Sequence, residues 1–188
     1  MLEIILIRNA PGEDEGLSDE VKSQCVRAGK LLGEFGLRPD LIITSHAPRS
    51  RDTGIFIAQG LGVPSPQHIT MPELRYFAPD RDTFVAELVP MFQELGDSKP
   101  TSMYLQRDTK GIFLAQAKHV ADKIRLEVSE RFGQRRTLVL AAGHHFIPNL
   151  VGLTIVPNNP ILLGPHFAHL AGCRIDEDGL VHAVDLST

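Results

Sequence analysis

Side chains that could hold an anion follow three apolar segments of the chain. Arg8 ends the first segment, Arg49 comes shortly after the second, and His144 follows the third. A guanidinium group pairs bidentately with phosphate oxygens, and an imidazole adds a further hydrogen bond. Taken singly, such an arginine is typical of a surface ion pair and such a histidine of a structural role. Together they predict a phosphate site, provided that the fold brings them to one place.

The three apolar segments are the elements that must position these side chains. Residues 2–8, 41–44 and 138–142 are nearly continuous apolar runs, which is typical of central strands covered on both faces. In open α/β sheets, ligands bind beyond the carboxyl ends of the strands. If the three strands are adjacent and parallel, the two arginines and the histidine share one crevice. A helix N-terminus near Arg49 would add backbone N–H donors.

The periodicity of the remaining apolar residues predicts the other elements. Ser18 is a helix cap, and Gly36 ends the helix that follows it. Further helices are predicted over residues 49–61, 81–95, 110–132 and 148–153, with a short strand at 67–70 in an otherwise irregular stretch 63–80, and a surface loop at 96–109.

The end of the chain has a different pattern. Residues 167–175 and 180–186 read as strands, and the Asp-Glu-Asp-Gly segment between them predicts a hairpin. The sequence therefore predicts an α/β fold built as a three-layer sandwich. It would have a mostly parallel central sheet, helices on both faces and a C-terminal hairpin, in a single domain spanning residues 1–188.

The order of these motifs resembles the histidine phosphatase (phosphoglycerate mutase-like) superfamily, most of all its small phosphohistidine phosphatase subgroup. Members have a first strand ending Arg-His-Gly or Arg-His-Ala, then Leu-Thr/Ser, then Ser-x-x-x-Arg-Ala-x-x-Thr, and later a strand ending Gly-His-Asn. The matching segments here are Arg8-Asn9-Ala10, Leu17-Ser18, Ser45 to Thr53, and Gly143-His144-His145. The third of these selects Arg49 over Arg51.

The resemblance implies a reaction and a set of roles. Family enzymes form a phosphohistidine on the histidine of the first motif, without a cofactor or metal, and water then hydrolyses it. Carried over by position, Arg8, Arg49 and His144 bind phosphate, and His144 is also catalytic. Glu73 is the candidate acid for the leaving group. Its alternative interpretation is an exposed loop glutamate.

Asn9 occupies the nucleophile position, where the family has histidine. An amide nitrogen is a very poor nucleophile, but the side chain still donates and accepts hydrogen bonds. Three explanations remain open: a natural binding protein without turnover, a substituted form of an active phosphatase, or weak activity through water or a displaced histidine such as His46 or His145. The predicted function is a phosphatase for phosphohistidine or small phosphomonoesters with impaired or absent turnover. The alternative is a non-catalytic phospho-ligand binding or regulatory module.

A metal site is disfavoured by the histidine spacing. His166 and His169 would face opposite sides of a strand, and no acid or cysteine cluster completes a ligand set with them or with the adjacent pair His144 and His145. His166 and His169 are interpreted as ordinary strand or loop residues.

Composition narrows the partners and the location. A net charge of -4 disfavours nucleic acid. The chain has no apolar stretch that could cross a membrane, and its first residues do not resemble a signal peptide. The two cysteines, Cys25 and Cys173, form no disulfide framework. We therefore expect a cytoplasmic protein whose partner is a phosphorylated small molecule or phosphoprotein. The leaving group would contact residues 63–110, which include Arg75, Tyr76, Arg81 and Arg107; the oligomeric state is left open.

Overall fold

The structure is a computed structural model. It describes residues 2–12, 16–62, 67–76, 82, 86, 90–91, 93–96, 99–145 and 147–187. Within this part of the chain, no helix is both long enough and apolar enough to span a bilayer.

A sheet with six strands forms the centre of the molecule. The strands are β1 (Leu2–Arg8), β2 (Leu41–Thr44), β3 (Gln67–Thr70), β4 (Thr137–Gly143), β5 (Ala171–Ile175) and β6 (Val181–Asp185), in the spatial order β3-β2-β4-β1-β5-β6. The pairs among β1 to β4 are parallel, whereas β5 is antiparallel to β1 and β6 to β5. The three apolar segments lie side by side, and the C-terminal hairpin is confirmed.

Helices connect these strands. They are α1 (Asp19–Glu34), α2 (Pro48–Leu61), α3 (Glu73–Tyr76), α4 (Thr101–Arg107), α5 (Ile112–Phe132), α6 (Ile147–Ile155) and α7 (Pro160–Leu163). Ser18 caps α1 as predicted, since its side chain accepts a hydrogen bond from the Val21 amide. Of the predicted helix 81–95, residues 82, 86, 90–91 and 93–95 are helical, and the others lie outside the described residues.

Alternation along β1 divides the core into two layers. Ile5 and Ile7 pack with buried residues of α1 and α2, whereas Ile4 and Leu6 pack with those of α5 and α6. Each of these isoleucines and leucines is at most 2% exposed, and burying such a side chain stabilises the fold by roughly 1.5–3 kcal/mol. Helices therefore cover both faces of a mostly parallel sheet, and the predicted three-layer architecture is confirmed.

Two glycines set the distance between α1 and α2. A Cβ atom on Gly29 would lie 2.0 Å from the Ile57 carbonyl oxygen, and one on Gly60 would lie 2.0 Å from that of Val26. Only residues without a side chain fit at these two contacts. The close approach fixes α2 against α1 and, with it, Arg49 in the first turn of α2.

Two predictions about the middle of the chain are wrong. Residues 96–109 were predicted as a surface loop, but they contain α4, and Tyr104 within it is fully buried with its hydroxyl donating to the Gly96 carbonyl at 2.5 Å. The irregular stretch 63–80 contains α3 as well as the predicted strand β3; residues 63–66 and 77–80 lie outside the described residues. Helices this short hold too few apolar residues to show a helical period.

The strand predicted over residues 167–175 begins only at Ala171. Leu170 has φ 60°, a left-handed conformation that an extended strand does not contain. Residues 166–169 therefore precede the strand, and the argument that His166 and His169 face opposite sides of one does not apply.

Candidate phosphate-binding site

Strand register brings the first and third motifs to one edge of the sheet. Arg8 is the partner of Gly143 in the pairing of β1 with β4, and the Asn9 amide donates to the Gly143 carbonyl at 3.0 Å. Thr44 is the partner of Ala142 in the pairing of β2 with β4. The three strands therefore end together, at what we call the carboxyl edge.

Arg49 and His144 are in direct contact at this edge. Arg49 Nη2 is 3.0 Å from His144 Nδ1, and Nη1 donates to the Gly12 carbonyl at 2.7 Å. Because a guanidinium group can only donate, Nδ1 is an unprotonated acceptor. The ring proton is then on Nε2, which lies 2.9 Å from Ser45 Oγ and donates to it. This arrangement describes a neutral imidazole, buried to 4% exposure.

The remaining nitrogen of Arg49 is unusual. Its Nε is buried and has no hydrogen-bond partner among the described residues. A buried donor without an acceptor costs roughly 1–3 kcal/mol, and more when the group is charged. Within the described chain, the two acceptors that Arg49 contacts are a main-chain carbonyl and a neutral ring, and neither carries a negative charge.

Arg8 is held by the segment before β5. Its guanidinium Nη1 donates to the Phe167 carbonyl at 3.3 Å, and its own carbonyl accepts from the Leu170 amide at 2.9 Å. Register thus places the Arg8 backbone beside Gly143, the residue before His144, while its side chain contacts the other neighbour of β1.

Asn9 is buried, at 2% exposure, between these two sides. Its side-chain Nδ2 donates to the Ala10 carbonyl at 3.1 Å, and its main-chain carbonyl lies 2.6 Å from His169 Nδ1. The Ala10 amide donates to Thr53 Oγ1 at 3.1 Å, and this hydroxyl donates to the Arg49 carbonyl at 2.7 Å. The loop that carries Asn9 is therefore tied to the first turns of α2.

Glu73 begins α3, which lies against the end of β4, because the His144 amide donates to the Leu74 carbonyl at 3.3 Å. The Glu73 side chain is buried, at 8% exposure, and is paired with Lys123 of α5. Burial alone would raise the pKa of this carboxyl, but the hydrogen bond from Lys123 and a backbone hydrogen bond hold it below its ordinary value. A carboxyl that is ionised at neutral pH has no proton to give a leaving group, so this geometry does not favour Glu73 as the acid.

The other candidates differ in exposure. His46 and Arg51 are exposed, whereas His145 is half-buried, with φ 45°. Arg107 pairs with Glu94 at 2.5 Å, Arg75 and Tyr76 belong to α3, and Arg81 lies outside the described residues.

Cys25 and Cys173 are free and buried, and burial raises the pKa of each thiol to about 12.

His169 is the residue at this edge that sequence reasoning missed. Its only sequence signal is the spacing to His166, and the sequence analysis interprets both histidines as ordinary strand or loop residues. In the part of the chain that the structure describes, no group of three or more His, Cys, Asp or Glu residues is arranged to hold a metal ion.

Comparison with known proteins finds relatives by structure. No protein-family model matches the chain, and no curated protein sequence matches it significantly. The phosphoglycerate mutase of Bacillus anthracis str. Sterne superposes with a TM-score of 0.64 at 12% identity, covering 99% of this chain and 94% of that one. The putative phosphohistidine phosphatase SixA of Agrobacterium tumefaciens superposes with a TM-score of 0.57 at 16% identity, covering 97% of this chain and 95% of that one. The protein histidine phosphatase SixA complexed with tungstate superposes with a TM-score of 0.58 at 14% identity, covering 97% of this chain and 94% of that one.

These identities are low, so the likeness is one of fold. It extends over nearly the whole length of each chain and includes the sheet whose carboxyl edge holds Arg49 and His144. The fold that the motif order implied is thereby confirmed. This chain has the phosphoglycerate mutase-like α/β fold, and its structural neighbours are histidine phosphatases and a phosphoglycerate mutase.

Proposed function

We propose that this chain is a phosphatase-type domain that binds the phosphoryl group of a phosphorylated small molecule or phosphoprotein at the carboxyl edge. Arg8 and Arg49 are the proposed phosphate-binding residues. His144, whose two ring nitrogens contact Arg49 and Ser45, orients the Arg49 guanidinium. Structural neighbours of this fold include phosphatases, and one of them was solved with tungstate, an oxyanion with the shape of phosphate.

Arg49 is the observation that carries the proposal. Among the described residues its buried Nε has no acceptor, and the two acceptors that its other nitrogens contact are uncharged. A phosphoryl oxygen would supply both an acceptor and a negative charge, and charge-assisted hydrogen bonds of this kind are about twice as strong as neutral ones. The position in the first turn of the 14-residue helix α2 adds the positive end of the helix dipole.

Asn9 sets the limit on turnover. The double displacement of a histidine phosphatase needs a nucleophile that forms a covalent phosphoryl intermediate, and a carboxamide does not form one. Hydrolysis through residue 9 is therefore blocked, and we propose that turnover is impaired. The same observation favours a second candidate function, a binding or regulatory module that recognises the phosphoryl group and does not cleave it.

Titration with inorganic phosphate tests the binding site. Arg49→Ala removes the guanidinium, and we expect a loss of roughly 1.5–3 kcal/mol in affinity, or about ten- to hundred-fold. Arg51→Ala is the matched control, because Arg51 is an exposed arginine on the same helix. Equal affinity in the wild type and Arg49→Ala would remove the carboxyl edge as the site.

Restoring the histidine tests the phosphatase character. We expect Asn9→His to gain metal-independent hydrolysis of phosphomonoesters and to form a phosphoenzyme that Arg49→Ala abolishes in the same background. If Asn9→His binds phosphate but hydrolyses no phosphorylated substrate, the chain is the binding module rather than a phosphatase.

A further inference from the structure

The topology of the sheet places a second histidine beside Asn9. Because β5 runs antiparallel to β1, the residues just before Ala171 lie next to those just after Arg8. His169 forms a bridge with Arg8, and the Leu170 amide donates to the Arg8 carbonyl at 2.9 Å. In the strand order β4-β1-β5, Asn9 therefore has the segment of His144 on one side and His169 on the other.

The contact of His169 with Asn9 fixes its tautomer. A main-chain carbonyl only accepts hydrogen bonds, so His169 Nδ1, 2.6 Å from the Asn9 carbonyl oxygen, carries a proton. In the neutral ring, Nε2 is then the basic nitrogen. A histidine whose Nδ1–H is held by an acceptor is the arrangement that orients a general base in hydrolytic enzymes.

The surroundings of His169 suit such a role. The residue is half-buried, and it begins the turn into β5 two residues after Phe167, whose carbonyl accepts from the Arg8 guanidinium. The segment from Phe167 to His169 therefore contacts both the Arg8 side chain and the Asn9 backbone.

We propose that His169 is a general base that activates water for direct attack on the bound phosphoryl group. The inference rests on the proposed phosphate site, and it replaces the covalent route that Asn9 blocks. The sequence suggested His46 and His145 as displaced histidines; the histidine whose ring contacts the Asn9 backbone is His169.

The step balances without a cofactor. His169 Nε2 takes a proton from water while the water oxygen forms a bond to phosphorus, and the bond from phosphorus to the leaving oxygen breaks. The leaving oxygen keeps the electron pair of that bond and takes a proton from solvent, and the imidazolium later returns its proton to solvent. The products are inorganic phosphate and an alcohol or phenol. Arg8 and Arg49 stabilise the phosphoryl charge, and no phosphoenzyme forms.

The decisive variant is His169→Asn. The amide nitrogen of asparagine takes the place of Nδ1 and can still donate to the Asn9 carbonyl, but the basic nitrogen is gone. We expect inorganic phosphate to bind with unchanged affinity, while hydrolysis of p-nitrophenyl phosphate falls about a hundred-fold or more. His182→Gln, on exposed β6, is the matched control and should change neither quantity. If His169→Asn is unstable in thermal unfolding, His169→Gln replaces it in the same assays.

Two further readouts separate a base from a structural residue. Free imidazole should restore part of the hydrolysis in His169→Gly, and hydrolysis of a phosphate ester chiral at phosphorus should invert its configuration, as a single displacement requires. Wild-type turnover retained in His169→Asn would overturn the proposal, as would a phosphoenzyme on His169. So would phosphate binding by the wild type without any hydrolysis, which leaves the proposed binding function intact. Absence of phosphate binding in the wild type would instead overturn the proposed function itself.

Discussion

Arginines lie at the carboxyl edge and also at the opposite ends of the parallel strands, where β1 and β4 begin, which we call the amino edge. The arginines at the two edges have different partners. At the amino edge, Glu3 of β1 is 4% exposed and accepts hydrogen bonds from two of them. Arg136 Nε donates to one carboxylate oxygen at 2.8 Å, and Arg174 Nη2 donates to the other at 2.7 Å. At the carboxyl edge, Arg49 contacts a carbonyl and a neutral imidazole and keeps a buried Nε without an acceptor in the described chain.

The partner of the guanidinium decides what each edge can do. At the amino edge the buried Glu3 carboxylate and Glu177, 3.9 Å from Arg136, together balance the charge of Arg136 and Arg174, so these contacts contribute to stability and leave little attraction for an added anion. At the carboxyl edge the described partners, a carbonyl and a neutral imidazole, orient Arg49 without neutralising it, so among the described residues its charge remains for a ligand. We therefore expect substitutions at the amino edge to change unfolding, and substitutions at the carboxyl edge to change phosphate binding.

The largest effect is expected for Glu3→Ala. This change leaves Arg136 and Arg174 without their shared carboxylate, and removing one partner of a buried pair costs about 3–5 kcal/mol. Arg136 is 60% exposed, so water offsets part of this and we expect about 2–3 kcal/mol in the free energy of unfolding. Phosphate affinity at the carboxyl edge should not change. Glu177→Gln, which removes only the 3.9 Å contact with Arg136, is the control. A change in affinity comparable to that of Arg49→Ala would break the distinction between the edges.

The next effect concerns the packing that positions Arg49. Gly29→Ala places a methyl group against the Ile57 carbonyl, and overpacking of this kind costs about 1–3 kcal/mol. Because α2 must shift to accept it, phosphate affinity should fall as well. Gly33→Ala lies on the same helix, where a Cβ would meet only a Leu61 methyl at 3.9 Å, and should be neutral or stabilising in denaturant unfolding. Identical behaviour of the two variants would contradict the close contact of α1 with α2.

Ser45→Ala should have a smaller effect, confined to the carboxyl edge. It removes the acceptor for His144 Nε2, so the imidazole is less firmly oriented toward Arg49. We expect a loss of about 1 kcal/mol in the free energy of phosphate binding, measured by the same titration. Ser23→Ala, on the exposed face of α1, is the control. An unchanged affinity would show that the orientation of His144 does not matter for binding.

The smallest effect is a change in the acid dependence of stability. Burial would raise the pKa of Glu3, but hydrogen bonds from Arg136 and Arg174 hold it below the ordinary value of 4.5. A carboxyl with a lowered folded-state pKa stabilises fully above its ordinary pKa and loses that contribution as pH falls through the folded value. Glu3→Gln should therefore flatten the loss of unfolding free energy below about pH 4.5. A slope equal to that of the wild type would contradict the ionised state of Glu3.

The sequence predicted the strands and part of the site from local apolar runs and from the order of motifs along the chain. The apolar runs that became β1, β2 and β4 have a composition typical of buried strands. Arg49 and His144 follow such runs, and the motif register of the resemblance selected Arg49 over Arg51. His169 has no comparable signal. Its place beside Asn9 depends on the antiparallel pairing of β5 with β1 and on Leu170, the left-handed residue between His169 and the start of β5. The pairing of Glu73 with Lys123 likewise joins residues far apart in the chain.

Co-crystallisation with tungstate tests the central claim most directly, because the anomalous signal of tungsten locates the anion without reference to activity. The account predicts one strong site at the carboxyl edge, with oxyanion oxygens within hydrogen-bond distance of Arg49 Nε and of Arg8, and none between Arg136 and Arg174. Tungstate bound at the amino edge, with the carboxyl edge empty in the same crystal, would contradict it.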